Sequence, residues 1–192
     1  MSLHKKIITL IFICINALTF LNCGPASPPG SEGKKQQTQN ELTSCTEDDL
    51  PPMTFVGPLA GKDGALVKSH KGDFIAVTTH MKVRMQSQEG MGAFQQVMKA
   101  LQQAMPKAQG LLASSFSFSQ KCGYARTLTI WKDYDSMMTF VVAKEHADAM
   151  IKAPKIASHF RTMHWSGGQK EWPVNWDDAK RRLTQITMKT YK

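Results

Sequence analysis

Residues 111–131 read LLASSFSFSQKCGYARTLTIW, and this stretch restricts the possible folds more than any other. Apolar or small residues alternate with polar ones through 111–120 and again through 124–131, the period of a half-buried strand. Only Lys121, Cys122 and Gly123 separate the two runs. So short a link reverses the chain but cannot carry a crossover, so the strands pair antiparallel. In the second strand Leu128 and Ile130 share one face, and Thr127, Thr129 and Trp131 share the other.

The remaining elements are arranged around this hairpin. DFIAVTTHMKVRM (73–85) is β-branched and alternating, which predicts a strand. Ile75, Val77, Thr79, Met81 and Val83 fall on one face, and Phe74, Ala76, Thr78, His80 and Lys82 on the other. Phe94, Val97, Met98, Leu101 and Met105 form a helical stripe, with Ser87 placed to cap it and Pro106 and Gly110 to end it. After Trp131, Asp133 caps a helix-like run whose expected buried stripe is Tyr134, Met137, Met138 and Val141. ASHFRTMHW (157–165) predicts a fourth strand. A Trp-rich loop and a basic helix, DDAKRRLTQI, follow.

The order β-α-β-β-α-β with a C-terminal helical tail predicts an α+β, ferredoxin-like sandwich. Its helices cover one sheet face. The other face, expected to carry Phe74, Thr78, His80, Thr129 and Trp131, is left without a partner inside the chain. A mixed apolar and polar face of this kind is expected to be covered by a second copy, as a homodimer with a cavity beside the sheets.

The ends of the chain predict export. Lys5 and Lys6 precede an apolar run over 7–20, too short to span a bilayer comfortably and suited to a secretory signal. The run ends at Cys23, followed by Gly24, Pro25 and Ala26. This resembles a bacterial lipobox, although Phe20, Leu21 and Asn22 depart from its usual residues. The resemblance implies lipidation at Cys23 and anchoring to the inner or outer membrane of the cell envelope. Residues 23–52 are rich in Pro, Gly, Ser, Gln and Lys, a composition that cannot offset its own ordering entropy and predicts a disordered tether. The expected division is therefore a signal at 1–22, a lipidated tether at 23–52 and one domain at 53–192. Cys45 and Cys122 remain, either bonded to each other or as free thiols.

The net charge of +9 is dispersed, with one dense cluster at Lys180, Arg181 and Arg182. No zinc spacing and no RNA-binding aromatic signature occurs, and export argues against a nucleic-acid partner. His159 and His164 would lie on opposite strand faces and make no metal pair. The 12 Met residues fall mostly on helix stripes and are expected to be core filler. No G-x-S-x-G, no Cys–His pair with an orienting partner and no paired carboxylates occur.

LTIWKDYDSMMTFVVAKEHADAM (128–150) resembles the dimeric α/β-barrel proteins related to antibiotic-biosynthesis monooxygenases. The likeness rests on Thr129, Trp131, Asp133, Phe140, His146, Ala149 and Met150. It implies oxygenation of electron-rich aromatics without a cofactor, haem degradation, or isomerase and dismutase chemistry. The Trp and His expected for haem degradation fall on Phe140 and Met150, so that site is not matched. Haem binding would need an axial imidazole from His80, His146 or His164. The resulting candidates are His80 and His146 as bases, and Phe74, Thr78, Thr129, Trp131, Phe140 and His164 as the lining for a small apolar or aromatic ligand. Three readings stay open: a monooxygenase-like enzyme, a non-catalytic binding module, and a structural surface lipoprotein whose cavity is filled by its own side chains.

Overall fold

A computed structural model describes residues 45–191. The signal, Cys23 and the first part of the tether lie outside the described residues. The elements are β1 (Phe74–Val83), α1 (Gln88–Ala104), β2 (Leu111–Ser119), β3 (Tyr124–Trp131), α2 (Tyr134–Val141), α3 (Lys144–Ile156), β4 (Ala157–Gly167), α4 (Trp176–Leu183) and β5 (Lys189–Thr190). The sheet order is β2-β3-β1-β4-β5, and every neighbouring pair is antiparallel. Its first four strands and their two helical crossovers are the ferredoxin-like arrangement.

Local signals explain the element boundaries. The Ser87 side chain accepts from the Gly90 amide at 3.0 Å, and Asp133 Oδ1 accepts from the Ser136 amide at 2.8 Å. These bonds satisfy donors that a helix start leaves open. Gly123 closes the hairpin at φ +64°, a left-handed conformation that favours glycine. The run after Asp133 is two helices, because Ala143 adopts an extended conformation (φ −64°, ψ 151°) between them. Met137 is buried, but Tyr134, expected in the buried stripe, is exposed.

The strand register corrects the expected composition of the two faces. Ile75 pairs with Trp131 and Val77 with Thr129, while Thr78 pairs with Leu128 and His80 with Arg126. Cross-strand partners point the same way. Trp131 and Thr129 therefore lie on the helix side, with Ile75 and Val77, and not beside Phe74, Thr78 and His80. On that side Trp131 and Leu111 pack with Met137, while Phe94 packs with Val83, Ala125 and Ile156.

The face opposite α1, α2 and α3 is closed by the chain itself. Phe74, Ala76, Leu128 and Ile130 pack against Phe55 from the N-terminal arm and against Val174, Trp176 and Ala179 from the C-terminal segment. Trp172 Nε1 donates to Val67 O at 2.7 Å and joins the ends of the cover. Each large side chain removed from water here contributes about 1.5–3 kcal/mol. The expectation that a second copy covers this face is therefore corrected: the arm and the C-terminal helix do so. The expected domain boundary at residue 53 is also corrected. Glu47 and Asp49 already bond to the sheet, so the domain includes Cys45, the first described residue.

The chain also reaches both outer strands. Val56 bridges Ser114 on β2, and β5 pairs with β4 through His159–Thr190 and Phe160–Lys189.

Candidate functional site

The most unusual chemistry lies under the arm. Cys45 and Cys122 are joined, with their Cα atoms 5.8 Å apart and a sequence separation of 77. The link holds the acidic run Glu47, Asp48 and Asp49 against the β2–β3 hairpin. Asp49 accepts from the Ser119 hydroxyl at 2.5 Å and from the Lys121 amide at 2.9 Å, and Asp48 pairs with Lys121 Nζ at 2.8 Å. Glu47 turns inward. Its Oε2 accepts from Arg126 Nε at 2.6 Å, and its Oε1 lies 3.2 Å from His80 Nε2.

His80 is 1 % exposed, and Arg161 Nε donates to its Nδ1 at 3.4 Å. With Nδ1 accepting, the ring proton sits on Nε2 and is donated to Glu47. Burial, with help from Arg126 and Arg161 and against the pull of Glu47, pushes the His80 pKa down to about 4. For Glu47, burial opposes ionisation, but the bonds from His80 and Arg126 prevail and hold its carboxyl below the usual range. The Tyr124 ring lies 4.4 Å from His80, and Lys82 Nζ sits 4.8 Å above Tyr124. Lys82 also donates to Cys122 O at 2.5 Å.

This arrangement has a testable acid response. The unfolded imidazole binds a proton below its ordinary pKa, whereas folded His80 resists protonation until about pH 4. Between those values the unfolded state holds more protons, so stability falls as pH falls. The expected loss from about pH 7 to about pH 4.5 is on the order of 2 kcal/mol, and His80→Gln flattens it. Urea midpoints for both proteins at the two pH values measure this. An equal slope in the variant would remove His80 as the cause.

The candidate residues divide into two groups. Phe74, Thr78 and His80 lie under the arm and the C-terminal cover. Thr78 donates to Thr127 O at 3.0 Å, and Phe74 meets the Trp172 ring edge-on at 5.6 Å. Thr129, Trp131, Phe140, His146 and His164 belong to the helix side. Trp131 Nε1 donates to Thr129 Oγ1 at 2.8 Å, and its ring lies 5.2 Å from Phe140. Phe140 in turn lies 5.3 Å from His146. His146 Nδ1 sits 3.0 Å from Val141 O, and burial pushes its pKa down against that bond. These are packing and capping contacts at the α2–α3 junction. His164 is exposed on β4, 5.8 Å from the Tyr134 ring. The candidates therefore do not converge on one cavity.

Two open clefts lie at opposite ends of the sheet. One, of about 970 Å³, is lined by Phe74, Lys132, Tyr134 and Lys170 among others. The other, of about 700 Å³, is lined by Lys82, Arg84 and Lys121 among others. Neither is lined by His80, His146 or Trp131. Among the described residues no group of three or more His, Cys, Asp or Glu could hold a metal, and no helix is long and apolar enough to cross a membrane.

Sequence reasoning missed Glu47, Arg126 and Arg161. One signal for Arg126 existed: it alternates onto the same strand face as Leu128 and Ile130, and a charge there requires a buried partner. No local pattern pointed to Glu47.

No family model matches the sequence, and no curated protein matches it. Solved structures do show a likeness. A protein provisionally described as a monooxygenase from Fusobacterium nucleatum is 15 % identical, with a TM-score of 0.44 over 61 % of this chain and 52 % of its own. Another so described, from Lactobacillus acidophilus, is 8 % identical, with a TM-score of 0.42 over 53 % and 50 %. A dimeric ferredoxin-like protein of unknown function from Jannaschia is 14 % identical, with a TM-score of 0.41 over 48 % and 97 %. The chain spans about half the length of the first two. The likeness is one of fold and carries no residue role across. On the order and direction of its strands, the domain is a ferredoxin-like fold whose sheet face opposite α1–α3 is closed by its N-terminal arm and by α4.

Proposed function

We propose that this chain is an exported cell-envelope lipoprotein, anchored through Cys23, whose ferredoxin-like domain is a binding module for a small ligand and not an oxygenase. The observation that carries this reading is the state of His80. Cofactor-free oxygenation needs a base free to take a proton from a bound substrate. Both ring nitrogens of His80 are engaged, by Arg161 and Glu47, and the ring is sealed beneath the arm. His146 is committed to Val141 and Phe140. The Cys45–Cys122 bond supports an oxidising compartment, where such links persist. The dimer named for the Jannaschia protein is carried over as a proposal, with the interface placed away from the closed face.

One experiment with two readouts tests the reading. The full chain, expressed in a diderm bacterium, should partition into membranes and lose that partition in Cys23→Ala. Purified in detergent with an electron-rich hydroquinone, it should consume oxygen no faster than buffer. Uptake that disappears in His80→Ala would overturn the binding-module reading, and partition unchanged in Cys23→Ala would overturn the anchor.

A further inference from the structure

We infer that Arg126, His80 and Arg161 form a carboxylate-binding site, held closed by the chain's own Glu47 while the Cys45–Cys122 bond is intact, and that a small external carboxylate replaces Glu47 once a dithiol reductant opens that bond. The inference rests on the binding-module reading and names its ligand class. Three observations carry it.

The first is the geometry of reception. The two oxygens of one carboxylate are received separately, by Arg126 Nε at 2.6 Å and by His80 Nε2 at 3.2 Å. A third group, Arg161, fixes the His80 tautomer that donates. Charge-assisted bonds to both oxygens recognise a planar carboxylate and not a spherical anion.

The second is imbalance. With His80 neutral, Arg126 and Arg161 place two guanidinium charges around one carboxylate. Lys82 stands nearby, over Tyr124. Ser117, directly across from Arg126 on the same sheet face, is 3 % exposed, and its hydroxyl oxygen has no hydrogen-bond partner. Ser115, two residues along the same face, is buried and unpartnered in the same way. Buried polar groups are ordinarily satisfied, so the two open hydroxyls on the sheet face of Arg126 are bonding capacity that the Glu47 carboxylate leaves unused.

The third is the way the occupant is attached. Glu47 lies two residues from Cys45, and apart from the disulfide the segment is held largely by ion pairs and hydrogen bonds at the hairpin. The Asp48–Lys121 pair is more than half exposed on both sides, and such pairs hold weakly. The covalent link to Cys122 therefore sets the effective concentration of Glu47 at the site, and an external carboxylate must compete against it.

The test uses the full chain and acetate, the fragment that Glu47→Ala deletes. In Glu47→Ala, sodium acetate should raise the melting midpoint saturably, by roughly 4 °C at about 100 mM. Acetamide of the same shape and sodium chloride of the same ionic strength should not. Oxidised wild-type protein should not respond. Wild-type protein treated with dithiothreitol should acquire the acetate response. There the dithiol gives two electrons and two protons to the cystine and closes to its own disulfide. If Glu47→Ala does not fold in plain buffer, the same comparison is read as refolding yield. Acetate no better than acetamide in Glu47→Ala, or no response in reduced wild-type protein, would overturn the site and leave Glu47 a permanent strut. An acetate-specific response together with oxygen uptake would sink the binding-module reading while keeping the site.

Discussion

Replacing Cys45 and Cys122 together with serine should lower the stability of the domain by about 4 kcal/mol. The bond closes a loop of 77 residues, and the chain entropy it removes from the unfolded state is of that size. For a domain of this length the melting midpoint should drop by about 10 °C. The effect has a second source in the folded state. The arm that begins at Cys45 carries Phe55 onto the sheet face that α4 also covers and carries Glu47 to Arg126, so loosening its root loosens the cover. Differential scanning calorimetry of the oxidised chain and the double serine variant measures the difference. A drop of less than about 2 °C would mean that Phe55 and its neighbours hold the arm without the bond.

Arg126→Ala should cost about 3–5 kcal/mol, because it leaves the Glu47 carboxylate buried without its guanidinium partner. Both side chains are 7 % exposed, so water cannot take over the lost bond. The companion variant separates this from simple loss of packing. Arg126→Met combined with Glu47→Leu removes both charges and keeps most of the volume, and should recover most of the stability. Urea denaturation at neutral pH reads both. If Arg126→Ala costs less than about 1 kcal/mol, the pair is hydrated in solution. If the double variant is no better than the single one, the cost lies in packing.

Much of the fold was legible because its signals are local. The hairpin follows from two alternating runs and a three-residue turn, and both helix starts follow from Ser87 and Asp133. The order of elements then leaves few topologies. The candidate site was far less legible, for two physical reasons. A strand pattern states which residues share a face within a strand, but not which face of one strand joins which face of the next. That choice placed Trp131 with Ile75 and separated it from His80. The arm also resembles a tether because it is polar. What orders it is a covalent bond and ion pairs to residues tens of positions away, such as Glu47 with Arg126. Nothing in a short window of sequence carries that information.

The short backbone pieces laid along the two outer strands have a consequence for aggregation. An open strand edge is a row of unsatisfied amides and carbonyls that any passing unfolded chain can extend. Val56 occupies part of one such row at Ser114, and Lys189 and Thr190 occupy part of the other. Each piece comes from near one end of the domain. The termini thus act as guards against aggregation, and trimming either one should trade a soluble protein for a sticky one.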